Sequence, residues 1–202
     1  MASPAASMSR SLRDIVDALE ASSTVSFLLN RDLHIIYCNP AWDRFAIEND
    51  GAELVRARIL PFDLRRVLTD DLRPYYLSVF KDSAKAGAVR DCLYECSSPQ
   101  AFRRVHMRIH PLQAGSGFLV TNAIVLETAH AEPVVAAVED YLDSHSTIAL
   151  CSHCRRSRRV APPTRWDFVP AHLSRQLSNV THVLCPICLE YFYPKAVDEV
   201  SC

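Results

Sequence analysis

Two kinds of apolar spacing alternate along the chain. From Ser11 to Ala21 the apolar positions Leu12, Ile15, Val16 and Leu19 fall at helical steps, with Ser9 or Ser11 available as the cap. Val25–Asn30 and Leu33–Cys38 are short β-type runs on either side of Arg31-Asp32, a hairpin signal that lacks the favoured glycine. Asn39-Pro40 closes the second run and opens a helix, because proline is tolerated at a first helical position. Trp42, Phe45 and Ala46 give that helix an apolar side. Residues 52–86 read as helical pieces punctuated by Pro61 and Pro74, the longest running from Leu72 to Ala86. Three strand-like runs follow, Ala88–Cys96, Ala101–His110 and Gly117–Glu127. In the middle one Val105, Met107 and Ile109 alternate with Arg104, His106, Arg108 and His110, which describes a strand with one dry and one wet face.

Helical spacing returns at Glu132–Asp143, through Val134, Val135, Val138, Tyr141 and Leu142. A polar, turn-prone stretch at Ser144–Thr147 then marks a boundary. Beyond it the pattern predicts strands at Thr147–Leu150 and Arg158–Ala161, and a helix starting near Leu189 that Pro194 stops. The fold class is therefore α+β: an antiparallel sheet with helices, followed by a small module. The expected divisions are an N-terminal amphipathic helix (1–21), a first domain (22–128), a linker helix (129–146), the module (147–194) and a tail (195–202).

Composition narrows the function classes. An apolar fraction of 49% and a charged fraction of 22% over 202 residues exclude wholesale disorder. No run approaches the roughly 18 apolar residues of a membrane span, and the first residues lack the basic and apolar regions of a secretory signal. A cytoplasmic protein is expected, with no membrane partner and with cysteines that serve as thiols or metal ligands rather than disulfides. With only four glycines and no phosphate-loop, dinucleotide or nucleophile-elbow motif, the chain offers no recognisable enzyme machinery. Asp70-Asp71 reads as a helix start. The protein is expected not to be an enzyme.

Charge divides unevenly: residues 1–143 carry 15 basic and 19 acidic side chains, residues 144–202 carry 7 and 4. The basic part also holds two C-x-x-C pairs, Cys151-Ser152-His153-Cys154 and Cys185-Pro186-Ile187-Cys188. Each pair can turn both thiolates toward one ion, and two pairs complete a tetrahedral site of the structural-zinc kind. Soft thiolates also suit iron–sulfur chemistry, whereas redox dithiols normally occur once, after a strand of a βαβ unit. The 30 residues between the pairs exceed a compact ribbon's spacing, so that segment must carry structure of its own. The flanking strands and the following helix point to a treble-clef-like module, with Cys188 in or near a helix's first turn. His153 and His182 are candidates for outer hydrogen-bond donors to the thiolates or for plain packing residues, direct ligation by either being the lesser alternative. Arg155, Arg156, Arg158 and Arg159 could meet a phosphate backbone or an acidic partner. Cys38, Cys92 and Cys96 read as core residues.

Two resemblances accompany these readings. Ile35-Ile36-Tyr37-Cys38-Asn39-Pro40-Ala41 matches an I-x-Y-x-N-x-A signature, and together with a helical middle and a three-strand meander it makes residues 22–128 resemble a PAS domain. Residues 147–194 resemble a Cys₄ zinc-binding extension found behind PAS, GAF and receiver domains in bacterial signalling proteins. The matching features are the C-x-x-C pair, the basic run, Trp166, an amphipathic helix that the resemblance places at Val169–Leu177, Thr181-His182-Val183-Leu184-Cys185-Pro186-Ile187-Cys188 and the aromatic Tyr191-Phe192-Tyr193. The family usually has Ser-His-Gly where this chain has Thr-His-Val.

The resemblances imply a bacterial sensory or regulatory protein with one structural zinc, acting through a protein partner and able to form a homodimer through its PAS-like domain. The PAS resemblance admits cofactors, but the flavin motif is absent, and haem is disfavoured because His34, His106 and His110 should point away from the pocket. A nucleic-acid-binding regulator using the basic module is the first alternative, and a thiol redox switch that releases zinc is the second.

Overall fold

The computed structural model describes residues 10–98, 100–130, 137–173 and 179–194. Its helices are α1 (Arg10–Glu20), α2 (Pro40–Glu48), α3 (Arg56–Ile59), α4 (Arg73–Ala86) and α5 (Pro186–Phe192). The strands are β1 (Val25–Asn30), β2 (His34–Cys38), β3 (Phe62–Asp63), β4 (Arg90–Glu95), β5 (Ala101–Pro111), β6 (Gly117–Ala129), β7 (Ile148–Cys151), β8 (Ser157–Arg158), β9 (Trp166–Asp167) and β10 (Val180–Val183). They form a six-stranded sheet in the order β3-β2-β1-β6-β5-β4 and a four-stranded sheet in the order β10-β7-β8-β9. In the larger sheet β1 lies between β2 and β6, antiparallel to both, with the helical stretch inserted before the β4–β6 meander. That arrangement is PAS-like.

By compactness the chain divides into two units. One comprises residues 1–65, 83–91 and 107–123, the other 66–82, 92–106 and 124–202.

In the first unit Asn39 does the most local work. Fully buried, it caps α2, its Oδ1 accepting the amides of Ser26 at 3.0 Å and Trp42 at 3.2 Å. Its Nδ2 donates to the carbonyls of Leu19 (3.2 Å) and Thr24 (2.9 Å). The end of α1, the start of β1 and the start of α2 thus converge on one amide. A buried amide needs such partners, since an unpaired one costs more than a paired one returns. Asn30 explains how the first hairpin manages without glycine: its Oδ1 accepts the amides of Asp32 and His34, and Leu33 adopts a φ of 60°. On β5, Val105, Met107 and Ile109 are buried as the alternation predicts, while Arg104 and Arg108 are exposed.

In the second unit β10 runs parallel to β7, with Val180 opposite Ile148 and Val183 opposite Cys151. The sequence reading had no strand at β10. Parallel pairing decides the architecture, because it brings both C-x-x-C segments to the same end of the small sheet; an antiparallel partner would carry them to opposite ends.

Two helices differ from expectation. Residues 131–136 and 174–178 lie outside the described residues. Within the described part of 132–143 there is a single 3-10 turn, Val138–Asp140, followed by a bridge from Leu142 to Ile148. The apolar spacing there has another origin: Tyr141 turns inward, buried, and donates to Asp167 at 2.8 Å. The expected helix over 169–177 is, as far as described, the 3-10 turn Pro170–Leu173.

Candidate metal centre

Cys151 ends β7 and Cys154 closes the turn after it. Cys185 is the N-cap of α5, Pro186 takes the first helical position, and Cys188 lies in the first turn. All four thiols are buried, and their Sγ atoms lie within 4.8 Å of one another. Cys154 and Cys185 are 3.7 Å apart. A tetrahedron with metal–sulfur bonds near 2.3 Å has an edge of about 3.8 Å, whereas a disulfide brings the sulfurs to about 2.05 Å. The four cysteines therefore fit a soft divalent ion with no open coordination position. This is the residue set expected from the sequence.

The electrostatics follow from crowding. Cys151 Sγ is surrounded by the other three thiols and by the amide of Cys185, which donates at 3.4 Å; these donors hold Cys151 well below the ordinary thiol range. Cys188, donating into that anion, is pushed above it. Ionising all four together needs a cation to offset their repulsion, which a metal ion would supply.

His153 occupies the position expected of an outer donor. Its Nδ1 is 3.3 Å from Cys188 Sγ, and its Nε2 lies 3.3 Å from the amide nitrogen of Glu95. An amide can only donate, so Nε2 is the accepting nitrogen and Nδ1 carries the proton toward sulfur. Burial lowers the pKa of His153 and favours this neutral form. The ring also meets Phe192 edge-on, with centroids 4.8 Å apart.

His182 is placed differently. It stands exposed on β10 and lines an open groove of about 480 Å³ with Asp70, Asp71, Pro74, Val183, Leu184, Leu189 and Tyr193. The structure does not bring it to the sulfurs: the metal-capable group is the four cysteines without it.

The arginine run does not form one exposed face. Arg158 is exposed, and Arg155 is half-buried at a φ of 59°. Burial works against the charge of Arg156, but Cys154 and Glu95 outweigh it and hold the guanidinium protonated. Arg159 binds Asp167 at 2.6 Å and Asp140 at 3.1 Å, and stacks over Tyr141 at 5.4 Å.

The sequence reading missed what holds the centre's surroundings. Ser152, inside the first pair, donates its hydroxyl to both carboxylate oxygens of Asp71 at 2.9 Å. Tyr193 OH donates to the Asp71 carbonyl at 2.6 Å. Leu72 is buried among the four cysteines and Phe192, and Tyr75 meets Phe192 edge-on at 4.7 Å. Asp70 does serve the helix start as expected, pairing with Arg73 at 2.8 Å.

No protein-family model matches the chain, and no curated protein matches it either. Solved structures with a similar course of the chain are found. One is a domain of an HTR-like protein from Haloarcula marismortui (15% identity, 52% of this chain and 100% of that one, TM-score 0.40). Another is the PAS domain of nitrogen regulation protein NR(II) from Vibrio parahaemolyticus (16%, 55% and 97%, TM-score 0.36). A third is the photoactive yellow protein domain of the sensor histidine kinase Ppr from Rhodospirillum centenum (12%, 57% and 99%, TM-score 0.40). The PAS-like description of this chain rests on its own strand order.

Proposed function

We propose that the chain is a signalling or regulatory protein in which a PAS-like sheet serves as sensor or interaction domain and a Cys₄ centre holds one structural zinc ion. The observation that carries this reading is the set of four buried sulfurs within 4.8 Å of one another at the meeting point of two C-x-x-C segments. Bound there, zinc supplies a cross-link and offers no reactive coordination position. The chain's own part is to hold the ligands: β7 and β10 present the two pairs at one sheet end, Cys185 caps α5, and His153 and Arg156 direct positive or donating groups at the sulfurs. A segment this small buries too little apolar surface to fold confidently without such a cross-link. Output then passes through a protein partner rather than through catalysis.

The test is elemental analysis of protein purified without added metal, together with its visible spectrum. One zinc per chain and no visible absorption support the reading. A broad visible band with iron, or no metal at all, overturns it.

A further inference from the structure

The residues that position the sulfurs are also the ones that reach Asp71, Leu72, Tyr75 and β4. Ser152 and His153 are the two intervening residues of the first C-x-x-C pair. One binds the Asp71 carboxylate and the other accepts from the Glu95 amide. Phe192 and Tyr193 end the short helix that Cys185 begins. They meet Tyr75 and the Asp71 carbonyl respectively. Leu72 completes the packing from the other side. We propose that metal occupancy of the Cys₄ centre governs the order of the first turn of α4 and of β4, so that the centre is a metal-responsive clamp on these two elements. This rests on the reading of the four cysteines as a metal site.

Ser152 and His153 are aimed only because Cys151 and Cys154, on either side, are drawn to one point. A seven-residue helix is too short to persist by its own hydrogen bonds, so α5 depends on Cys185 and Cys188 being held. With the cation gone, the four thiols lose their common point, and all the anchors loosen together. On the other side of the clamp, the start of α4 is held by the solvent-exposed Arg73–Asp70 pair at 2.8 Å and by Arg73 donating to the Leu68 carbonyl at 3.0 Å. Thr69 Oγ1 and Arg73 Nε are buried without a hydrogen-bond partner there. A segment of low local stability is the kind that opens first.

The experiment is amide hydrogen exchange of the full chain, zinc-loaded and after removal of zinc by a chelator, with metal content measured on each sample. Exchange at residues 71–76 and 92–96 is expected to accelerate by roughly tenfold or more on chelation, while residues 26–29 and 118–121 keep their protection. Asp71→Ala removes the carboxylate anchor without touching the module. It is expected to keep one zinc per chain and to speed exchange at 71–76 with the metal still bound. Stoichiometric zinc, with faster exchange confined to 147–194 and an unaltered Asp71→Ala profile, overturns the clamp and leaves the metal site standing. Loss of protection throughout, β1 and β6 included, also overturns it. Absence of bound metal overturns both.

Discussion

His153 Nδ1 points at Cys188 Sγ across 3.3 Å, and the Glu95 amide, by donating to the other ring nitrogen, fixes which nitrogen carries the proton. A neutral imidazole thus serves as a fixed N–H donor to the Cys188 sulfur. Groups in this position orient the ligand and lower its tendency to pick up a proton or leave the ion.

Replacing that donor is expected to weaken the centre without emptying it. His153→Ala should retain one zinc per chain at saturation and lose about 10- to 100-fold in affinity, read by competition with a chromophoric chelator. An unchanged affinity would mean that the ring only fills space beside Phe192.

Removal of a ligand is a different matter. Cys151→Ser or Cys188→Ser should abolish stoichiometric zinc binding and release the small sheet, because each thiolate occupies one corner of a closed site. Circular dichroism with metal analysis checks this, and chelation of the unmodified chain should reproduce it.

Asn39→Ala tests the first unit. It removes the cap of α2 and leaves the Ser26 amide and the carbonyls of Leu19, Ser22 and Thr24 without their side-chain partner. The expected loss is about 3 kcal/mol in urea unfolding, from a missing cap together with buried groups left unpaired.

Asp167 makes a prediction about acid. Burial alone would raise its pKa, but donation from Arg159, Tyr141 and Arg165 outweighs burial and holds the carboxyl below its usual range. A group depressed on folding gives its stabilisation in full above its unfolded value, about 4, and loses it as pH falls through the folded value. Asp167→Asn should therefore melt below the unmodified protein at neutral pH, and the two melting curves should converge as pH falls below 4. A constant gap would show that Asp167 acts through shape and not charge.

Some of this architecture was legible in the linear chain because its causes are local. The period of β5, the helix start at Asn39-Pro40 and the thiol pairs each depend on residues within a few positions, and each stands where the pattern puts it, whereas α5 begins at Pro186, three residues before the expected start. The parts that differ depend on distant residues. Tyr141 has helical spacing with its neighbours, yet its partner Asp167 is 26 positions away. Ser152 and Asp71 are separated by 81 positions, and nothing near either residue announces the other. His182 lies three residues before a ligand, but in β10 its side chain falls on the exposed side. Short polar strands such as β8, β9 and β10 carry no periodic signal long enough to read, and their identity comes from the pairing itself.

The parallel pairing of β10 with β7 also sets an order of events during synthesis. A hairpin could have offered all its ligands almost at once. Here the second pair leaves the ribosome about 30 residues after the first, a delay of roughly 2–6 s at ordinary elongation rates. Throughout that interval Cys151 and Cys154 are two thiols without the other half of their site, open to oxidation or to a borrowed ligand. The nascent chain is thus most vulnerable at the residues that later become the most deeply enclosed.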